Sequence, residues 1–229
     1  MYAAIISRVS ADRKTSVGTT DASYENVAPT FPLPVQTRFS ELERFLDSAP
    51  MPAMGRAMST AWTTKIPLQA PLAAVFDNTI RFLTRMKSHV PRAWRLYESR
   101  VSVCVMMLMH NIQSMCHSKM LNVKDSEDNI AECVRLTIHL SLVEPRRVIG
   151  AVAGYPDIYV LQLQLALCRQ NTDWDGLEEL HLWCLFGGLR QSTTESKRTW
   201  FQQQICDIIT HFPPSEQIHV LEDIDGLFF

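Results

Sequence analysis

The chain has 229 residues, of which 46% are hydrophobic and 20% are charged, and its formal net charge is -2 at pH 7. This composition is typical of a globular protein. A net charge so close to zero excludes a generally basic, polyanion-binding protein, so a charge-driven function would have to come from a local cluster. The longest apolar run covers residues 103–109, whereas a membrane-spanning helix needs about 20 residues. We therefore expect a soluble, intracellular protein.

The cysteines are too far apart for a zinc site of the common kind. There are six, and no C-x-x-C pair occurs among them. A disulfide framework would be unusual in a chain this long and apolar, so we expect a reducing compartment. A metal site can be drawn from His110, Cys116, His117, Cys133 and His139. Its spacings do not match a closed tetrahedral site, and we predict neither a metal nor another cofactor.

The N-terminal part differs from the rest of the chain in amino-acid composition. Residues 1–38 are rich in Ser and Thr and lack periodicity, which predicts a disordered or poorly ordered segment. Eight of the twelve prolines then fall between Pro29 and Pro91. Because proline interrupts helices, this stretch is expected to hold only short ones, such as 40–46 and 75–89. Residues 39–229 form the predicted helical domain.

After Pro91 the pattern favours long helices. Residues 92–144 contain neither proline nor glycine, and two helices are predicted at 94–121 and 126–143. Asp125 or Ser126 is the expected N-cap of the second helix, whose first turn carries two acidic residues.

Three further helices are predicted downstream. Pro156 is a suitable first residue for one of them, although residues 161–165 alternate as a strand would. Leu and Gln are poor strand formers, so helix is preferred. Asp175-x-x-Glu178 and Ser192-x-x-Glu195 resemble capping boxes of helices reaching Leu185 and about His211. Gly187-Gly188 marks a helix end or a close helix crossing. The predicted fold is all-α, an irregular bundle of antiparallel helices.

Motifs of the common enzyme classes are absent. The sequence contains no nucleophile elbow, phosphate loop, dinucleotide fingerprint or H-E-x-x-H zinc helix. The acidic run at residues 125–128 superficially resembles one half of the magnesium-binding apparatus of terpene cyclases. A capped helix start explains this run better, and we do not predict an enzyme. A helical metal-dependent enzyme is the remotest alternative.

A basic stretch and an acidic one suggest binding surfaces. Residues 81–100 hold six basic side chains and one acidic one, with Trp94 and Tyr97 interleaved. Nucleic-acid contact through this stretch is the weaker interpretation, and a solvated amphipathic face is the stronger one. The four arginines that would make the contact are Arg81, Arg85, Arg92 and Arg95.

Residues 221–229, called the tail below, combine acids with bulky apolar groups. The acids would keep the tail solvated while its apolar side chains bind a partner's groove. Alternatively, a terminal helix docks these side chains on the core, and both interpretations stay open. The candidate partner-binding residues are Ile224, Leu227, Phe228 and Phe229.

Three segments in order resemble the C-terminal region of fungal zinc-cluster transcription factors. They read E-C-V-R-L-T at 132–137, L-H-L-W-C-L-F-G-G at 180–188 and K-R-T-W-F at 197–201. The resemblance implies an all-helical regulatory region, the fungal-specific transcription factor domain, which acts in the nucleus through protein contacts and needs no known cofactor. It also implies core packing for Trp183, Phe186, Trp200 and Phe201.

The chain departs from this family because it lacks the six-cysteine zinc cluster that reads DNA. It is therefore expected to be a fragment of a longer regulator or a relative without the reader, and direct sequence-specific DNA binding is not predicted. We expect a transcription-regulatory or accessory protein whose partners are the transcription machinery or a co-regulator. The alternative is a helical interaction module of a biosynthetic pathway, without transcriptional activity.

Overall fold

The computed structural model describes residues 46, 49–89, 94–116, 126–148 and 156–229. In these residues the secondary structure is helical and no β-strand occurs, which confirms the all-α prediction. The predicted disordered segment 1–38 lies outside the described residues, as does the predicted helix 40–46 apart from Leu46.

The proline-rich stretch forms longer helices than predicted. It holds α1 (Ala53–Lys65), a 3-10 turn (Pro67–Gln69) and α2 (Ala70–His89), and α3 (Trp94–Cys116) follows. Helix α1 was not predicted, and α2 begins five residues before the predicted start. Pro52 directly precedes α1, and Pro71 lies in the first turn of α2. Proline is tolerated at both places because no intrahelical N–H bond is lost there.

The second half contains six helices in the residues that the structure describes. They are α4 (Ser126–Ser141), α5 (Val143–Val148), α6 (Pro156–Leu167), α7 (Glu178–Gln191), α8 (Glu195–Ile209) and α9 (Gln217–Asp225). The predicted helix 126–143 is thus divided at Leu142, and Pro145 falls in the first turn of α5. The predicted acids, Glu127 and Asp128, do lie in the first turn of α4.

The burial pattern of α6 shows why its sequence does not look like that of an amphipathic helix. Val160, Leu163 and Ala166 are buried against the neighbouring helices, and Leu161 and Leu165 on the opposite face are exposed. Both faces are therefore apolar, which removes the amphipathic pattern by which a helix is normally recognised.

Both predicted capping boxes are wrong. Leu177 precedes α7, and the Glu178 carboxylate accepts a hydrogen bond from the Gly176 N–H (3.0 Å). At the start of α8, the Ser192 hydroxyl donates to the Gly188 carbonyl (2.7 Å) instead of capping the helix. Gly176 has a φ of 70°, a conformation that glycine adopts without strain and that turns the chain into α7.

Helix α7 lies at the centre of the bundle and contacts α1, α4, α6, α8 and α9. It extends six residues beyond its predicted end and passes through Gly187 and Gly188. A Cβ at Gly187 would stand 2.5 Å from the Thr137 Cγ2 of α4, and one at Gly188 would overlap the Phe201 ring of α8. The glycine pair therefore marks a close helix crossing and not a helix end.

Buried cysteines fill apolar space, as their sequence context predicts. Cys104, Cys133 and Cys184 are buried and not cross-linked. Burial raises the pKa of the Cys133 thiol well above its ordinary value and that of Cys184 to about 12. Both thiols are therefore protonated at neutral pH and behave as small hydrophobic groups.

Among the helices that the structure describes, none is long and apolar enough to cross a membrane.

Candidate partner-binding site

The apolar side chains of the tail are docked on the core. Ile224, Leu227 and Phe228 are 0%, 2% and 3% exposed, and Phe229 is partly buried against the same cluster. Of the two interpretations of the tail, the structure corresponds to the docked one. In this conformation these side chains are not available to a partner. Docking on the core is favourable because it removes their apolar surface from water. Partner binding through all four would require the tail to leave this position.

An aromatic stack anchors the tail to α7. The Phe228 ring lies nearly parallel to the Trp183 indole, with centroids 5.7 Å apart and an interplanar angle of 16°. Trp183 also contacts Phe76 of α2, whose ring meets it edge-on with centroids 4.9 Å apart. Trp183 is fully buried between these two rings. Such aromatic contacts add about 1 kcal/mol each beyond simple area burial.

Two cations form the polar rim of this contact. Arg190, in the last turn of α7, donates to the Asp225 carboxylate (2.8 Å) and to a main-chain oxygen of Phe229 (2.8 Å). Its guanidinium also lies 5.6 Å from the centre of the Phe228 ring. From α2, Lys87 donates to the Gly226 carbonyl oxygen (2.7 Å). The tail thus meets one apolar anchor and two positive charges, which complement its own apolar and acidic composition.

Sequence reasoning did not find Lys87 and Arg190 as tail ligands. Arg190 near a helix C-terminus has a sufficient local explanation in the helix dipole. Lys87 is 139 positions from its tail acceptor, and no spacing rule connects residues so distant. The acidic character of the tail was the one available signal, and it pointed to basic partners without locating them.

The four arginines proposed for nucleic-acid contact are only partly described. Arg81 and Arg85 lie one turn apart on α2 and are half-buried. Arg81 acts electrostatically on the Asp77 carboxyl, whose pKa is raised by burial and lowered in part by Ser59 and Arg81. Arg92 lies outside the described residues, and of Arg95 only the helical backbone of α3 is described. Nucleic-acid contact through these residues stays a prediction.

A second set of charged groups is buried between α4, α5 and α6. Arg135 is 4% exposed and donates to both carboxylate oxygens of Glu132 (2.6 and 2.7 Å). One turn further along α4, the His139 ring stacks on Tyr159 of α6 with centroids 4.9 Å apart. Burial, with the positive charges of Arg135 and Arg146, lowers the pKa of His139 to about 3. The imidazole is therefore neutral at physiological pH.

This buried histidine predicts a pH-dependent stability. The unfolded chain binds the His139 proton near pH 6.5 and the folded chain near pH 3, so stability is present above pH 6.5 and falls as the pH falls between these values. We expect a loss of about 2 kcal/mol from His139 between pH 7.5 and 5. Denaturant unfolding of the wild type and His139→Gln at both pH values measures it. Equal pH dependence of the two proteins would contradict the assignment.

His181 contributes in the same direction. Burial lowers its pKa to about 4, and its ring stacks on Trp174 at 4.2 Å. His181→Gln should therefore also reduce the pH dependence, by nearly the same amount as His139→Gln between pH 7.5 and 5, because both folded-state pKa values lie below pH 5.

The possible metal ligands are not brought together in the described part of the chain. There, no group of three or more His, Cys, Asp or Glu side chains could hold a metal ion. Cys133 and His139 are buried on α4. His117 and the side chain of Cys116 are not among the parts of the chain that the structure describes.

The three segments of the family resemblance meet at one place. The first lies on α4, the second on α7 and the third on α8. Gly187 contacts the first segment through Thr137, and Gly188 contacts the third through Phe201. Of the four aromatic residues expected in the core, Trp183, Phe186 and Phe201 are fully buried and Trp200 is partly buried at its edge.

No protein-family model, curated protein or solved structure matches this chain.

Proposed function

We propose that this protein is a transcription-regulatory or accessory protein of the nucleus, which acts through protein contacts in the manner of the regulatory region of fungal zinc-cluster transcription factors. The supporting observation is the junction of α4, α7 and α8. Three sequence segments, separated by up to 69 positions from first residue to last, supply the two glycines, the threonine and the phenylalanine that fit together there.

Such a junction constrains sequence more than an ordinary helical core does. Most core positions accept several apolar residues of similar volume, whereas the two glycines leave room for a threonine methyl group and an aromatic ring. Agreement with the family at the two glycines and at Phe201 therefore has a geometric reason, whereas Thr137 stands where the family pattern has alanine. A chance match of common leucine and tryptophan patterns would not require the three segments to touch.

A reporter assay tests this function. The full chain is fused to a heterologous DNA-binding domain, and expression of a reporter with the matching site is measured against the DNA-binding domain alone. We expect a change of at least about threefold, in either direction, which corresponds to a shift of roughly 0.7 kcal/mol in promoter occupancy or activity. The fusion carrying Gly188→Ala, which disturbs the junction, should show a weaker effect, and the fusion carrying Gly55→Ala is the matched control.

An unchanged reporter at equal fusion levels would contradict the proposal. Recovery of a protein partner together with that null result would instead favour the interaction module of a biosynthetic pathway. A fluorescent fusion of the full chain tests the nuclear assignment separately, since exclusion from the nucleus is incompatible with a transcriptional role.

A further inference from the structure

Three of the six large hydrophobic side chains that are exposed in the described part of the chain lie on one helix. Ile158, Leu161 and Leu165 of α6 are 46%, 47% and 61% exposed, and the other three are on different elements. Single exposed apolar residues are ordinary on protein surfaces. Three on one helix are a different case, because together they form a continuous apolar surface that is costly to keep in water.

These three side chains and Cys168 form a regular row, called the outer stripe below. Cys168 is exposed, and its N–H still donates to the Gln164 carbonyl oxygen as in a helix (3.0 Å). The four positions are three, four and three residues apart, which is the spacing of the a and d positions of a coiled coil. The buried side chains of α6, Val160, Leu163 and Ala166, are on the opposite side. The outer stripe therefore points away from the bundle and can receive a second helix.

The positions beside the outer stripe are uncharged or engaged within the chain. Gln162 and Gln164 flank it, and glutamine can both donate and accept hydrogen bonds. At one end, the Asp157 carboxylate accepts a hydrogen bond from a threonine hydroxyl next to α8 (2.7 Å). At the other end, Arg169 donates to an asparagine side-chain oxygen of α4 (2.9 Å). A partner selected by charge has little to bind here, whereas an identical face meets no like-charge repulsion.

The spacing of the outer stripe is the same in both directions along the helix. A second α6 that runs antiparallel, about a two-fold axis beside Leu163, therefore places Leu161 against the partner's Leu165 and Ile158 against the partner's Cys168. Each side chain of the stripe then meets another one, which is the self-complementarity that a two-fold interface requires. Antiparallel packing also brings opposite ends of the two helix dipoles together.

The area of the outer stripe indicates how strong such a contact is. Three aliphatic side chains that are about half exposed present on the order of 300 Å², whereas a stable interface buries about 800 Å² per partner. This area is enough for a transient dimer and too small for a permanent one. We expect a dissociation constant on the order of 100 µM.

We propose that the outer stripe of α6 is the contact surface of a weak, two-fold symmetric dimer of this chain, in which the two α6 helices run antiparallel. The palindromic spacing, the uncharged flanks and the exposed area all favour a second copy as the occupant. This inference goes beyond the proposed function, because it concerns the assembly of the chain whichever process the protein serves.

Sedimentation velocity of the full chain, at concentrations between about 10 and 300 µM, measures the self-association. We expect a reversible shift from monomer to dimer across this range. Leu165→Glu should weaken the association at least about tenfold, since it places two like charges within an apolar contact. Leu68→Glu is the matched control, because Leu68 is 79% exposed on the turn before α2 and lies outside the stripe. It should associate as the wild type does.

A disulfide cross-link tests the antiparallel alignment. Ile158→Cys places a thiol opposite the partner's Cys168, so oxidation with diamide should give a covalent dimer. Ile158→Cys combined with Cys168→Ser should not, because the two introduced thiols would be about 15 Å apart along the helix axis, too far for a disulfide. The two Cys168 thiols of a wild-type dimer are separated by the same distance, so the wild type should also stay uncross-linked.

A chain that remains monomeric at about 300 µM would overturn the proposal. If Leu165→Glu also lowers the melting temperature of that monomer markedly, the occupant of the stripe is another segment of the same chain. A dimer that Leu165→Glu leaves intact, or that Leu68→Glu weakens equally, would place the contact elsewhere. Cross-linking of the wild type through Cys168 would overturn the antiparallel alignment. Circular dichroism verifies that each variant is folded, and none of these outcomes depends on the reporter result.

Discussion

Gly188→Ala should lower the free energy of unfolding by about 2 kcal/mol, although alanine is the better helix former by about 1 kcal/mol. The added methyl group would overlap the ring of Phe201 on α8. That ring is fully buried, so it cannot turn away without displacing its own neighbours. Denaturant unfolding at pH 7.5, followed by circular dichroism, measures the change.

Gly55→Ala is the matched control for this substitution. Gly55 is also a buried helical glycine, but the nearest atoms to its added Cβ are the methyl end of Met51 at 3.0 Å and the Ile80 Cγ2 at 3.1 Å. Each has to shift by only a few tenths of an ångström, and methionine does so at low cost, so we expect a loss below about 1 kcal/mol. Phe201→Leu should reduce the penalty of Gly188→Ala when the two are combined, as a double-mutant cycle would show. Equal losses from the two glycine substitutions would contradict the close-crossing explanation.

Glu132→Gln should cost about 3 kcal/mol of stability at pH 7.5. The substitution removes the carboxylate that accepts two hydrogen bonds from Arg135. The Arg135 side chain is 5% exposed and that of Glu132 is 24% exposed. The buried positive charge then faces a neutral amide in place of its bidentate anion. The expected loss therefore reflects the cost of leaving Arg135 buried more than the strength of the pair itself.

Glu195→Gln provides the corresponding surface measurement. Glu195 pairs with Arg198 at the same i, i+3 spacing, but at 4.0 Å and with a carboxylate side chain that is 82% exposed. Its loss should change stability by less than about 0.5 kcal/mol. Glu132→Leu with Arg135→Met should regain part of the stability, because both charges are then absent. If Glu132→Gln were as mild as Glu195→Gln, the Glu132–Arg135 contact would not be a buried pair in solution.

Much of the helical pattern could be predicted from local sequence. The start of α4 follows from Ser126 and the acids after it, and the start of α6 from Pro156. Helix lengths were less predictable, since a proline can open a helix or end one, and Pro52 and Pro71 stand at helix starts. The predicted capping box at Ser192 is wrong because its hydroxyl donates to a carbonyl of the preceding helix. The one at Asp175 is wrong because α7 begins later, after Leu177.

The candidate site was less accessible to sequence reasoning than the helices. The composition of the tail indicated that its acids need basic partners and that its apolar side chains need an apolar surface. Arg190 and Lys87 are the basic partners, and Trp183 is part of the apolar surface. Whether a partner or the chain itself satisfies them depends on which surfaces come within reach. That information is contained in the packing of α2 and α7 and not in the tail.

The sequence by itself determined the fold class and the places where α4, α6 and the buried aromatic residues occur. Helix propensity and proline placement act over a few residues, and they are legible without knowledge of the fold. The tertiary structure alone decided that Gly187 and Gly188 lie within a helix and that the tail is docked. Both depend on contacts with residues far away in the chain, Thr137 for the first glycine and Lys87 for the tail, which only the packed bundle brings together.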